Sequence, residues 1–184
     1  MLQEIKQNPF LRFIVVAVLL YAAWFTAYEL FIHPWGKLDR LVIDNLIGIA
    51  SGMLDVFGYP LTPVQPDGEV IRTIGIDGAQ LLWVGDECNG LTLFAIFIVF
   101  MLAFPGPWKK KLWFIPIGML LIHLMNAIRV AALAVIVKEN PEALDFNHTY
   151  VFTTLVYGFI FLLWYIWAVR MSGIRDKKGA SDEA

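Results

Sequence analysis

Cysteine and charge are the two scarce features of this sequence. Cys88 is the only cysteine among 184 residues, and 16% of the residues are charged. One cysteine cannot form a disulfide within the chain, and the cysteine and histidines lack the spacing of a zinc or iron–sulfur site. We therefore expect no metal and no other cofactor. In soluble domains about a quarter of the residues are charged, so the low charge content argues against a soluble fold.

Hydrophobic residues are abundant instead, at 59% of the chain with a mean hydropathy of +0.66. A helix needs about 20 apolar residues to cross a bilayer. Four regions reach or approach that length, namely residues 10–32, 88–105, 112–137 and 149–170. The second is the shortest, because its continuous apolar run covers only residues 91–104. The sequence predicts an all-α polytopic membrane protein of about four transmembrane helices. Residues 1–172 form a single integral membrane domain in this prediction, and residues 173–184 form a polar cytoplasmic tail.

The positive charges fall into two groups that predict the orientation, because Lys and Arg concentrate in cytoplasmic loops. The larger group comprises Lys6, Arg12, Lys109, Lys110, Lys111, Arg170, Arg175, Lys177 and Lys178. We predict a multi-pass protein of the bacterial inner membrane with both termini in the cytoplasm. Residues 33–87 and 138–149 then face the periplasm. His33-Pro34-Trp35 follows the first span in place of a small-residue cleavage site, so that span is predicted to be an uncleaved anchor.

The long external segment contains two patterns of its own. Apolar residues recur every three or four positions from Leu38 to Phe57, with Asp39, Asp44 and other polar residues between them. This spacing predicts an amphipathic helix that lies on the membrane surface. Further on, two strand-like runs at residues 69–76 and 79–84 flank Asp77-Gly78, which predicts a short β-hairpin leading directly to Cys88.

Arg129 is the most informative polar residue on physical grounds. It lies inside the third predicted span, where a guanidinium costs at least about 2.5 kcal/mol. Asn126 lies one turn away on nearly the same helix face and can share a polar pocket with it. Arg129 therefore has a functional role, or else it snorkels to the headgroups or pairs with a carboxylate such as Glu29.

Cys88 stands at the predicted start of the second span, at the outer membrane boundary. The N-terminus of a helix favours a thiolate, whereas the neighbouring carboxylates of Asp86 and Glu87 disfavour it. Asp86 is a candidate N-cap of that helix. Gly90 exposes backbone N–H groups that can bind an oxyanion. A lone cysteine near a span is more often an inert packing residue, so Cys88 alone does not indicate chemistry.

Histidine supplies the third candidate. His148 follows Asn147, a plausible N-cap, at the outer start of the fourth span. His123 lies deeper in the third span and about 120° around the helix from Arg129, so we expect it to face a neighbouring helix. His33 is a boundary residue at the end of the first span. Of the three, His148 is at the depth of Cys88 and Arg129.

Taken in order, Glu87-Cys88-Asn89-Gly90-Leu91, Asn126-Ala127-Ile128-Arg129 and His148 resemble the exosortase/archaeosortase family of membrane-embedded cysteine transpeptidases. The resemblance covers about residues 65–165 and points to a compact member. Asn89 stands where the family usually has Ser. The resemblance implies that Cys88 attacks a peptide carbonyl, that Arg129 stabilises the oxyanion and that His148 is the acid/base group. Asn126, Asn89 and Gly90 would then orient these groups or the substrate.

The implied substrates are secreted proteins with a C-terminal motif, a transmembrane helix and a basic tail, as in PEP-CTERM proteins. Membrane lipids are expected partners, and nucleic acid is not. A non-catalytic subunit or scaffold of an envelope or secretion complex is the alternative, with Cys88 as a packing residue and Arg129 as an ion-pair partner. A small transporter fits less well, because the intramembrane charge is sparse and no paired broken helices are apparent.

Overall fold

A computed structural model describes residues 7–62 and 72–173, apart from the side chain of Glu87. The chain forms α1 (Pro9–Trp35), α2 (Lys37–Val56), β1 (Arg72–Ile74), β2 (Leu82–Val84), α3 (Leu91–Ala103), α4 (Trp108–Glu139) and α5 (Pro141–Met171). The start of the predicted hairpin at residues 69–71 and most of the predicted cytoplasmic tail lie outside the described residues. The all-α polytopic fold is confirmed.

Three of these helices, α1, α4 and α5, are long and apolar enough to cross a membrane. A fourth apolar helix, α3, is shorter than these three. The second predicted span, residues 88–105, contains the 13-residue helix α3. Its length is about 20 Å, against about 30 Å for the hydrocarbon core. The helix is short because Gly90 precedes it in a left-handed conformation and Phe104, which has extended backbone, follows it.

The beginning of α1, the α3–α4 connection and the end of α5 lie together at one end of the bundle. Arg12 and Lys111 line the same cavity there, and Lys110 Nζ donates to the carbonyl oxygen of Met171 (3.3 Å). This end therefore collects the described cations that the sequence assigns to the cytoplasm, and that assignment of side remains a prediction. Lys111 is not solvated, since only 3% of it is exposed and its ammonium donates to the Phe104 carbonyl (2.7 Å).

Two hydrophobic cores lie along the long helix α4. The first joins α2, the hairpin and the second half of α4, and the second joins α3, α5 and the first half of α4. Small residues allow the close approach in the first core, where Ala127, Ala131 and Ala134 of α4 pack beside Ala50 of α2. Cys88 packs against this first core. The candidate nucleophile therefore borders the core that α2, the hairpin and α4 share.

Helix α2 agrees with the predicted boundaries, and part of its predicted apolar face, Leu46 and Leu54, is buried in the protein. Leu41 and Phe57 were assigned to the apolar face and are 66% and 79% exposed. Ile43, Ile47 and the carboxylate of Asp39 are buried instead. The reason for this burial is tertiary, because α2 packs extensively against α4 and also contacts β1. That α2 lies at the membrane surface stays a prediction.

The hairpin is present, with a longer connection than expected. Residues 72–74 pair antiparallel with residues 82–84, and Arg72 is opposite Val84. Asp77-Gly78 does form a turn, in which the N–H of Ala79 donates to the carbonyl oxygen of Ile76 (3.0 Å). The strands do not extend to that turn, because Ile76 forms a bridge with Leu61 instead.

Candidate active site

Cys88, Arg129 and His148 lie together although they come from three separate parts of the chain. The Cys88 Sγ atom is 3.8 Å from His148 Nε2, and Arg129 Nη2 is 2.9 Å from the same nitrogen. A guanidinium can only donate hydrogen bonds, so Nε2 is the accepting nitrogen and its lone pair faces both partners. Arg129 therefore contacts His148, and Glu29, its proposed alternative partner, is exposed.

The backbone around Cys88 differs from the expected helix start. Cys88 ends a short 3₁₀ turn, residues 86–88, and α3 begins three residues later at Leu91. Gly90 is the N-cap residue of α3 and has no side chain to cap it, while Asn89, one residue earlier, accepts from the N–H of Leu91 through its Oδ1 (2.8 Å). Asp86 as the cap was thus wrong. The thiol lies just ahead of the N-terminus of α3, on a segment that the neighbouring helices fix.

Asn126 and Gly90 hold the carbonyl side of that segment. Asn126 is 1% exposed and its Nδ2 donates to the carbonyl oxygen of Cys88 (2.7 Å), so it positions the nucleophile backbone. Gly90 has φ +81°, and a Cβ there would lie 3.0 Å from Asn126 Nδ2. A left-handed backbone and a close polar neighbour both favour glycine at this position.

His148 belongs to the body of a helix, which corrects the expectation that it opens the fourth span. Helix α5 begins at Pro141, and residues 147–151 form a π-helical turn inside it. Asn147 is consequently not an N-cap, and its Nδ2 donates to the carbonyl oxygen of Ala143 (2.8 Å). Isolated π turns within α-helices often occur at functional sites.

A set of polar residues that the sequence did not single out surrounds the nucleophile segment. Asp39 is fully buried, and its Oδ1 accepts from Tyr28 Oη (2.7 Å) and from Asn89 Nδ2 (2.6 Å). His33 Nδ1 lies 3.3 Å from an oxygen of Asp86. Both carboxylates therefore have partners at the α1–α2 corner. The alternation of Asp39 with apolar residues had suggested a solvated face, so nothing in the pattern marked it as buried.

Two cavities reach the cluster from different directions. The first, about 280 Å³, has both Cys88 and His148 in its wall. Its remaining lining is mainly apolar and comes from the hairpin, α4 and the beginning of α5: Leu81, Leu82, Trp83, Val84, Val130, Leu133, Leu144 and Asp145. The second, about 330 Å³, is bordered by Asn89, Gly90 and Arg129 together with residues of α3 and α5.

His123 is outside this cluster, as expected from its position around the helix. Its Nε2 is 2.8 Å from Asn45 Oδ1 on α2, and its ring lies 6.0 Å from that of Phe94. In the part of the chain that the structure describes, no group of three or more His, Cys, Asp or Glu side chains is arranged to hold a metal ion.

The fold and this geometry define a class: a helical membrane protein with a cysteine, a histidine and an arginine clustered at one end of its bundle. The sequence matches the family described as transmembrane exosortase over residues 9–168. This match covers most of the chain, so the protein belongs to the transmembrane exosortase family. No curated protein and no solved structure matches the chain.

Proposed function

We propose that this protein is a membrane-embedded cysteine peptidase or transpeptidase that removes C-terminal sorting signals from secreted proteins. The observation that carries the proposal is the convergence of the Cys88 thiol and the Arg129 guanidinium on one nitrogen of His148, at 3.8 and 2.9 Å. Membership of the transmembrane exosortase family supports an activity of this kind. A scaffold would not require a thiol and an imidazole to face each other inside a cavity.

In the first half of the reaction, the Cys88 thiol transfers its proton to His148 Nε2 and Sγ attacks the scissile carbonyl carbon. The carbonyl oxygen becomes an oxyanion. His148 then gives the proton to the leaving amine and the C–N bond breaks. The C-terminal sorting signal departs, and the rest of the substrate stays bound to Cys88 as a thioester. In the second half His148 takes a proton from the acceptor, which attacks the thioester and restores the thiol.

The hydrogen bond between Arg129 and His148 affects the order of these reaction steps. Once Nε2 carries a proton it is a donor and can no longer accept from Arg129 Nη2. The two donors then repel, and the guanidinium is free to turn toward the developing oxyanion at the moment the oxyanion forms. Arg129 thus keeps the base oriented before the attack and stabilises charge after it.

The location of the site fits a substrate held at a membrane surface. The cluster lies at the end of the bundle opposite Arg12 and Lys110, and we propose that this end faces the periplasm of a bacterial inner membrane. Substrates are proposed to carry a short motif, a transmembrane helix and a basic cytoplasmic end. The motif would occupy the cavity beside the hairpin.

The experiment is to express each variant with a tagged secreted protein that ends in such a signal. We expect Cys88→Ala, Cys88→Ser and His148→Ala to leave the signal attached, since each removes the nucleophile or its base. Immunoblots of tag size check this, with membrane levels of each variant matched to wild type. Asp55→Asn, an exposed change on α2, is the control. Normal processing by Cys88→Ala would reject the proposal.

A further inference from the structure

The nucleophile segment is attached to the corner between α1 and α2 on both sides of Cys88. Asp86, two residues before it, faces His33, and Asn89, the residue after it, donates to Asp39 (2.6 Å). Asp39 also accepts from Tyr28, which lies near the end of α1 (2.7 Å). One buried carboxylate thus connects α1, α2 and the residue that follows the nucleophile.

Burial makes the Asp39 carboxylate expensive as a purely structural link. Its exposure is 0%, and the nearest histidine nitrogen to Oδ2, His33 Nδ1, is 3.9 Å away. Apolar residues of similar volume usually stabilise such a position as well as, or better than, a buried charge. Stability therefore does not explain the carboxylate at this position, whereas the hydrogen bonds that its oxygen accepts do.

What Asp39 holds is the orientation of the Asn89 side chain. The amide of Asn89 is fixed at both ends, with Nδ2 on Asp39 and Oδ1 on the N–H of Leu91. Asn126 fixes the carbonyl of Cys88 from the other side (2.7 Å). The backbone from Cys88 to Leu91 is therefore held at three points, and the thiol direction follows from that backbone.

We propose that Asp39 is a positioning residue for Cys88: it acts through Asn89 to keep the thiol directed at His148. The inference rests on the proposed role of Cys88 as the nucleophile. It also explains why asparagine stands after the cysteine, because serine could accept from the N–H of Leu91 but is too short to reach Asp39.

The readout is the rate at which iodoacetamide alkylates the purified full-length protein in detergent at neutral pH. Cys88 is the only cysteine, so every alkylated molecule reports that thiol. Asp39→Leu removes the acceptor oxygen, and we expect alkylation to slow on the order of tenfold, since small misplacements of a reacting group have effects of this size or larger. Asp39→Asn keeps an acceptor oxygen, and its rate should stay within about threefold of wild type.

Two further variants keep the test decisive. Asn89→Ser keeps an acceptor for the N–H of Leu91 and loses the Asp39 contact, so it should slow alkylation as Asp39→Leu does, even if the latter fails to fold. Asp55→Asn on the exposed side of α2 should not change the rate. Thermal unfolding of each variant shows whether the protein is folded.

The outcomes separate the possible roles of Asp39. A folded Asp39→Leu or Asn89→Ser protein that alkylates at the wild-type rate would mean that Asp39 only joins helices. Faster alkylation, or an Asp39→Asn protein as slow as Asp39→Leu, would mean that its charge matters and not its position. Because the assay needs no substrate, either result is distinct from failure of the peptidase proposal, which the processing of Cys88→Ala decides.

Discussion

At the scale of single residues, the site depends on what each side chain contacts more than on residue type. Cys88 alone, or His148 alone, is an ordinary residue near a membrane surface. Arg129 attracted attention because a guanidinium inside a span is costly. The structure shows that this guanidinium contacts the imidazole that faces the thiol (2.9 Å). Asn126 was expected to orient Arg129 or the substrate, and in the structure its amide donates to the backbone carbonyl of Cys88.

Gly90→Ala tests how strongly the nucleophile backbone is constrained. Alanine at φ +81° is strained by about 1–2 kcal/mol. Its Cβ would also press on Asn126 Nδ2 at 3.0 Å and disturb the hydrogen bond to Cys88. We expect substrate processing to fall on the order of tenfold or more.

Gly58→Ala is the matched control, because Gly58 has φ +79° and a Cβ added there would meet no atom within 4 Å. Both variants should lose similar stability in thermal unfolding, and only Gly90→Ala should lose processing activity. Equal activity of the two variants would show that the contact with Asn126 is unimportant.

At the scale of elements, the long apolar helices could be predicted and their contacts could not. Hydrophobic length fixes a transmembrane helix because each buried backbone polar group must be bonded within the helix. The face that α2 buries depends on α4, which the pattern of α2 alone does not contain. The pattern of α2 placed Asp39 among the polar residues, because it contains no information about the neighbours that bury it. The connection between the two hairpin strands was expected to be shorter, because the bridge between Ile76 and Leu61 is also a tertiary contact.

The packing of α3 against α4 can be tested at Gly118 of α4. A Cβ at Gly118 would overlap the ring of Phe97 on α3, so Gly118→Ala should destabilise the protein by about 1–3 kcal/mol. Gly158 of α5 has no atom within 4 Å of a Cβ position, and Gly158→Ala should be neutral or stabilise by up to about 1 kcal/mol. Thermal unfolding in detergent measures both, and equal stability of the two variants would contradict the α3–α4 contact.

At the scale of the whole molecule, charge and chemistry lie at opposite ends of the bundle. Arg12 of α1 lies with Lys110 and Lys111 of α4 at one end, whereas Cys88, Arg129 and His148 lie toward the other. The sequence predicted this separation because the positive-inside rule and the order of the spans are both visible in it. The convergence of Cys88 and Arg129 on one nitrogen of His148 is visible only in the fold.

Orientation can be measured with single cysteines in a Cys88→Ala background. Lys138→Cys lies near the site end of α4 and Lys109→Cys near its start, and both positions are exposed. A membrane-impermeant maleimide applied to spheroplasts should label Lys138→Cys and not Lys109→Cys, because we place the site end in the periplasm. After permeabilisation both should be labelled. Labelling of Lys109→Cys alone in intact spheroplasts would reverse the orientation.

Neutral hydroxylamine tests whether Cys88 forms a thioester with the substrate. Hydroxylamine attacks a thioester to give a hydroxamate and the free thiol. Membranes containing the protein and a tagged substrate are treated with it, and the new C-terminus is identified by mass spectrometry. With wild-type protein we expect substrate that ends in a C-terminal hydroxamate. With Cys88→Ala we expect unprocessed substrate. Substrate cleaved to a free carboxylate in both samples, with no hydroxamate in either, would contradict the thioester on Cys88.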